Sequence, residues 1–257
     1  MIETKAEKRL RKARAKSGLP SITDDTKRYV VCLKWGNKYG PEYVNKLYNM
    51  VARNLSLDYE FICFTENAKG IDPHIRTCPL PSIPVVGWWY KPWFLSNELP
   101  IDGTVLFLDL DLIVFKNIDN LFTYQPDKKF VIIRDFNRQI RQGWDRMNSS
   151  VFRVQVGAYD EVYRTFQKDA QTWARRYQGD QDFMYRHIKD HAFWPDEWIQ
   201  SYKWEMRGRD KLAVIKGKRT FKEAGEPTIL PQTSIAVFHG QPNIPDCIDR
   251  WPLQHWG

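Results

Sequence analysis

Gly103-Thr104-Val105-Leu106-Phe107-Leu108-Asp109-Leu110-Asp111-Leu112-Ile113-Val114-Phe115 decides the fold. Its apolar residues run on without alternation, the pattern of a central strand buried on both faces. Two carboxylates two residues apart interrupt the run. In extended chain, residues i and i+2 point to the same side, so Asp109 and Asp111 can meet one ligand at the strand's C-terminal edge, where open α/β sheets place their ligands. Two hard oxygen ligands there suit Mn²⁺ or Mg²⁺, and such a cation neutralises a bound diphosphate. The competing reading is a pair of Asp residues that end a strand and cap a turn.

The sequence upstream alternates between two periods. Tyr29 to Leu33 is a short β-branched apolar run, Pro41 to Leu55 carries Val44, Leu47, Tyr48 and Val51 at helical spacing, and Tyr59 to Phe64 is a second apolar run. Strand, helix, strand is the opening of a parallel α/β sheet. No GxGxxG or GxxxxGK[ST] follows the first strand, which removes the main support for a dinucleotide oxidoreductase or a P-loop enzyme. Downstream, Val162, Phe166, Ala170, Trp173 and Tyr177 predict the buried stripe of one amphipathic helix. His187 and His191, four apart and without an HExxH motif, read as an exposed pair on one helix face.

With 257 residues, 42% of them hydrophobic and 14% aromatic, the chain can bury a core, and a single domain suffices for its length. It has no run of 18 apolar residues, and no apolar stretch follows the basic N-terminus, so a cytoplasmic protein is expected. Residues 1–18 hold seven Lys/Arg against two Glu, net +5 of the total +8 and leaving +3 for the rest. That distribution gives no support to a nucleic-acid groove across the domain. The tail reads either as a solvated, partly helical extension or as an electrostatic attachment to an anionic membrane at its inner face. Gly18, Pro20 and Asp24-Asp25 divide the tail from the remainder of the chain, giving an extension over 1–26 and one domain over 27–257. Cys32, Cys63, Cys78 and Cys247 form no CxxC pair and read as reduced core thiols. Tryptophans crowd at Trp88, Trp89 and Trp93, at Trp194, Trp198 and Trp204, and at Trp251 and Trp256, where they serve either core packing or the apolar faces of sugar rings.

Several segments, in order, carry a resemblance. They are Asp109-Leu110-Asp111 with Leu112-Ile113-Val114 and Asn117 to Phe122, Met147-Asn148-Ser149-Ser150-Val151-Phe152, Gly179-Asp180-Gln181-Asp182-Phe183, and Val237-Phe238-His239-Gly240. Together, over about Tyr29 to Pro245, they resemble nucleotide-sugar glycosyltransferases of the GT-A fold, particularly the retaining family 8 type and its bacterial relatives. The resemblance implies an α/β fold with a mainly parallel central sheet flanked by helices. It implies a metal-dependent hexosyltransferase that moves a sugar, with retention, from a UDP-sugar to a glycan, a lipid-linked acceptor or another hydroxyl. Asp109, Asp111 and His239 would hold Mn²⁺ or Mg²⁺, while Lys91, Asp109, Asn148 and Gly240 would bind the donor. Asp180 and Gln181 would line the sugar end and take the catalytic role.

One departure stands out. The family usually follows the late His with a Lys that neutralises the leaving diphosphate, whereas His239-Gly240-Gln241-Pro242-Asn243 has none. Lys203 is the substitute assigned here. Two alternatives come from other classes: a haloacid-dehalogenase-like phosphatase with Asp109 as nucleophile, and a non-catalytic sugar-nucleotide-binding module.

Overall fold

The structure is a computed structural model describing residues 27–257, so the expectations for the basic extension and its membrane contact lie outside the described residues. Arg28–Lys34 forms β1 and Pro41–Asn54 forms α1. Pro41 sits in the helix's first turn, where a missing N–H removes no bond, and Glu42 complements the positive end of the helix dipole. Tyr43, Val44, Leu47, Met50 and Val51 are its buried face. β2 (Glu60–Thr65) runs parallel to β1, and β3 (Arg76–Cys78) adds a parallel edge strand from within a proline-rich stretch, Pro73 to Pro84. Gly87–Leu95 then winds in 3-10 turns around Pro92 and buries Lys91.

The long apolar run is two strands rather than one. β4 (Thr104–Leu108) lies between β1 and the later β7, whereas β5 (Leu112–Val114) belongs to a separate sheet. Asp109-Leu110-Asp111 is the connector. Asp109 N donates to Ser150 O (2.9 Å), the last bond of the large sheet, and Phe238 N donates to Asp111 O (2.8 Å), the first of the small one. Leu110 is buried between two partly exposed carboxylates, so the i, i+2 geometry survives although the strand does not.

After β5 come α2 (Asp119–Thr123), β6 (Phe130–Arg134) and β7 (Met147–Gln155). The expected single helix after β7 is also two: α3 (Asp160–Lys168) and α4 (Ala170–Arg176). Asp169 leaves helical geometry (φ −153°, ψ 54°) and its carboxylate accepts from Thr172 N (3.4 Å), so it caps α4 instead of continuing α3. α5 (Asp180–His187) comes next, and it ends at His187, so His191 lies beyond it and the two histidines share no helix face. The remaining elements are β8 (Ala192–Phe193), β9 (Ile199–Ser201), β10 (Leu212–Ile215), β11 (Lys218–Phe221), β12 (Ile235–Val237) and α6 (Arg250–His255).

The large sheet has seven strands in the order β3-β2-β1-β4-β7-β6-β8, parallel throughout except where β7 runs antiparallel to β4 and β6. Alternate strand residues feed opposite layers, as the two-residue strand period requires. Val30, Cys32, Leu106 and Leu108 pack with α1 and the small sheet, while Val31, Leu33, Val105 and Phe107 pack with the 87–95 turns, α3 and α5. The four cysteines are buried in these layers as free thiols, as expected. Five of the eight clustered tryptophans are core as well: Trp89, Trp93, Trp194, Trp251 and Trp256 are buried, and Trp88 is exposed. No described helix is long and apolar enough to cross a membrane.

Candidate functional site

Strand direction brings the candidate residues together. In the three-stranded sheet β5-β12-β9, β12 and β9 are parallel and β5 is antiparallel to β12. The start of β5 and the ends of β12 and β9 therefore share one edge, which places Asp111 before β5 beside His239 after β12 and Ser201 at the end of β9. The large sheet does the same with the end of β4 and the start of β7, since Leu108 pairs with Val151. The ladder between β6 and β7 skips from Phe152 to Asn148 at the Ile132/Ile133 step. Such bulges re-aim backbone groups beside functional sites. Here Ser149 O accepts from Lys91 Nζ (3.1 Å).

A cavity of about 550 Å³ opens at this junction, and Lys91, Asp109, Asp111, Asn148, Asp180, Gln181, His239 and Gly240 all line it. Lys203 does not. It is buried behind the wall, and its Nζ donates to Pro242 O (3.2 Å) in the loop that follows Gly240. Burial pulls its ammonium down to about 7, against the opposing pull of Asp111.

Lys91 Nζ donates to Asp109 Oδ2 (2.8 Å), and Ser149 Oγ lies 3.3 Å from it. Burial alone would favour a neutral amine, but Asp109, Asp180 and Asp111 outweigh it and raise the pKa, so the side chain is a fixed cation. Tyr39 OH donates to Asp111 Oδ2 (3.0 Å). Burial and the neighbouring Asp109 charge nevertheless push Asp111 up to about 6. Asp180, at the start of α5, is also raised to about 6, chiefly by burial, with Lys91 opposing, and its Oδ2 is buried without a hydrogen-bond partner among the described residues. Gln181 Nε2 donates to Asp135 Oδ2 (3.1 Å), and Ser149 N lies 3.5 Å from Gln181 Oε1, which fixes the amide's orientation. Asn148 Oδ1 accepts from Ser150 N (3.0 Å).

His239 stacks on Phe136 (ring centroids 5.1 Å) against the edge of Trp204 (4.9 Å). Its Nε2 shares a 2.6 Å hydrogen bond with Ser201 Oγ. Burial, aided by the Lys203 charge, drops its pKa to about 3, so the ring is neutral. Gly240 adopts φ +71° with open space where a Cβ would stand, so its backbone is accessible from the cavity. Among the described residues, no group of three or more His, Cys, Asp or Glu is arranged to hold a metal ion by itself.

Sequence reading missed part of this wall. Asp135, in the turn after β6, is buried and accepts from Asn137 N (2.8 Å), Asn137 Nδ2 (2.7 Å) and Trp144 Nε1 (3.0 Å) as well as from Gln181. Its one sequence signal is Asp two residues before Asn at a strand end, an Asx-turn pattern. Lys38 and Tyr39, in the loop after β1, and Arg141, Trp144 and Arg146, in the loop before β7, also line the cavity. Arg141 and Trp144 additionally border a second cavity of about 760 Å³.

No protein-family profile matches the chain, and no curated protein matches it. Solved structures do. An active-site mutant of LgtC superposes with a TM-score of 0.58 at 12% identity, covering 88% of this chain and 93% of that one. The galactosyltransferase LgtC with donor and acceptor sugar analogs gives 0.56 at 13% identity, covering 84% and 88%. The apo form of the glycosyltransferase GlyE of Streptococcus pneumoniae gives 0.55 at 14% identity, covering 85% and 56%. Two sheets joined through Asp109-Leu110-Asp111, and this likeness over most of the chain, establish that the protein has the GT-A fold seen in these glycosyltransferases.

Proposed function

We propose that this chain is a glycosyltransferase that moves a sugar from a nucleotide-diphosphate sugar, of the UDP class, to a hydroxyl of a glycan or lipid-linked acceptor, with retention and with a divalent cation, Mn²⁺ or Mg²⁺. One observation carries the reading. Asp109, Asp111 and Asp180 converge on one cavity, and among the described residues only Asp109 has an ion-pair partner, Lys91, while Asp111 and Asp180 are held near pKa 6. A folded chain tolerates that where a positively charged ligand completes the site. The donor set fits a hard divalent ion: Tyr39 and Lys91 each bind one carboxylate oxygen, and among the described residues no hydrogen bond engages the other oxygen of Asp109 or Asp111.

Asp109 and Asp111 would hold the ion, with His239 beside them once its nitrogen is released from Ser201. When bound, the ion supplies Lewis acidity toward the leaving diphosphate. The protein's own groups do the rest. Lys91 fixes the orientation of Asp109, and the accessible backbone of Gly240 lets phosphate oxygens approach closely. Lys203, on the carbonyl of Pro242, lends positive potential to the same loop and takes the place of the missing lysine. Sugar transfer develops positive charge at the anomeric carbon, and the oxygen of Gln181, oriented by Asp135, and the Asp180 carboxylate stand to oppose it. In a retaining course the acceptor hydroxyl attacks from the leaving-group side and its proton passes to a diphosphate oxygen, so no protein nucleophile is needed. The second cavity, sharing Trp144 with the first, has room for an acceptor. The phosphatase alternative is not supported by this fold, in which three strands precede β4 and the small sheet completes the site.

Thermal unfolding with UDP, GDP, CDP or ADP, each with Mn²⁺, Mg²⁺ or chelator, tests the reading. A ligand at a hundredfold its dissociation constant adds about 2.7 kcal/mol, a rise of roughly 5 to 10 °C for a chain this long. The expected result is a metal-dependent rise with the uridine nucleotide that disappears in Asp109→Asn/Asp111→Asn. No rise with any nucleotide overturns the proposal. A β-linked product from an α-linked donor, seen by NMR of fresh product, overturns retention alone.

A further inference from the structure

The β10–β11 hairpin lies outside both sheets and outside the cavity. Leu212 pairs with Phe221 and Ile215 with Lys218, and the two-residue turn Lys216-Gly217 has φ +50° and +77°. Positive φ at both central positions is the type I′ turn that matches strand twist. Its base is anchored to the body. Phe221 is buried, with the Arg207 guanidinium 4.8 Å from its ring centroid, and Arg219 N donates to Gln241 Oε1 (3.4 Å), one residue past Gly240.

The tip presents an unusual surface. Val214 is 68% exposed and Ile215 45%, two of the few large aliphatic side chains left in solvent. Each stands directly across the ladder from a cation, Val214 from Arg219 and Ile215 from Lys218. From Arg209 to Lys222 the chain carries six Lys/Arg against one acid, Asp210. All six side chains are exposed, and among the described residues none of them forms an ion pair. The net +5 of these fourteen residues exceeds the +3 left to the whole chain once residues 1–18 are set aside.

We infer that the β10–β11 hairpin docks on an anionic lipid surface, with Val214 and Ile215 entering the headgroup boundary and Lys216, Lys218, Arg219 and Lys222 meeting lipid phosphates. Aliphatic tips ringed by long basic side chains suit that interface, because the hydrocarbon stems bury beside the aliphatic groups while the charges stay at the headgroups. An acidic protein surface would use the cations and leave two β-branched aliphatics in water. Because β11 is bonded to the loop after Gly240, docking would hold the rim of the cavity close to the membrane. The docking does not depend on the proposed transfer reaction.

Cosedimentation of the full chain with vesicles of phosphatidylglycerol in phosphatidylcholine, against phosphatidylcholine alone, tests the inference. The expected result is binding to the anionic vesicles only. Val214→Ser/Ile215→Ser is expected to lower it by at least about tenfold, and each cation removed in Lys216→Ser/Lys218→Ser/Arg219→Ser by roughly fivefold. Both variants change exposed side chains only and leave the melting midpoint in place. A polarity-sensitive dye on Lys218→Cys, selective because the native cysteines are buried, is expected to shift to the blue on the anionic vesicles. Wild-type affinity in both variants assigns membrane binding to another part of the chain and overturns the proposal. An unshifted dye, or no vesicle binding at all, overturns it too, as does a concentration-dependent dye shift without lipid, which would mean self-association.

Discussion

Two buried charge clusters in this molecule are built on opposite plans. At Asp249 every carboxylate lone-pair direction is used: Arg207 donates from Nε (2.8 Å) and Nη2 (3.2 Å), Tyr202 OH from 2.8 Å and Gly225 N from 2.8 Å. One acid meets one guanidinium, and nothing is left over. Around Lys91 three acids share one ion pair, Lys91–Asp109, among the described residues, one carboxylate oxygen of Asp180 has no partner among them, and two carboxyls are pushed toward neutrality. The first cluster ties the chain end to the π-helical turn at Tyr202–Met206 and is complete as folded. The second is incomplete as folded, and it is the one that faces a cavity. Incompleteness of charge separates a site from a clasp more sharply than burial does, because Lys91 and Asp180 are buried just as Arg207 and Asp249 are.

The contrast breaks if the two clusters respond alike to neutralisation. The largest expected effect is on turnover: Asp109→Asn/Asp111→Asn should lower sugar transfer by about a thousandfold while the melting midpoint stays or rises. Equal activity would remove these carboxylates from the reaction. Next in size, Arg207→Met leaves Asp249 buried and unpaired, a loss of about 3–5 kcal/mol seen in urea unfolding. A loss below about 1 kcal/mol would mean that the clasp relaxes into water.

A smaller and opposite effect belongs to Asp180. With its folded pKa near 6 and an unfolded value near 3.8, this carboxyl supports the metal-free fold below pH 4 and withdraws that support as pH rises through 6. Asp180→Asn should therefore melt higher than wild type at pH 7.5 in chelator, by on the order of 1 kcal/mol. The gain should vanish by about pH 4, and an advantage that does not change with pH would sink the assignment. Smallest is Tyr39→Phe, which removes the hydrogen bond from Tyr39 that favours the ionised form of Asp111. It should move the acid limb of metal-dependent nucleotide binding upward by a few tenths of a pH unit, measured by titration calorimetry across pH 5–7.

Much of the frame could be read before any coordinates. The strand-helix-strand opening follows from side-chain period alone, and Asp109, Asp111, Asn148, Asp180, Gln181, His239 and Gly240 do share one cavity. What escaped has a physical explanation in each case. Thirteen residues of near-continuous apolar sequence look the same whether they cross one sheet or pass between two, since Leu110 is buried either way. The α3–α4 break turns on one residue, Asp169, whose cap is worth more than a continued turn. Tyr39 was invisible because its partner, Asp111, is 72 residues away, and the Asx-turn pattern at Asp135 gave no hint of its bond to Gln181, 46 residues on. Lys203 was placed at the cavity and lies behind it, because π-helical winding after β9 turns its ammonium toward Pro242.

The connector also has a mechanical meaning. Asp109 takes its backbone bond from the seven-stranded sheet and Asp111 from the three-stranded one, so the two carboxylates are anchored to different slabs joined by a single residue. Any ligand that grips both acts as a rivet across that seam. Bound, it should slow amide exchange at Ile113 and Ala236, in the small sheet, as much as at Leu106 in the large one, and so make two separately opening layers open as one.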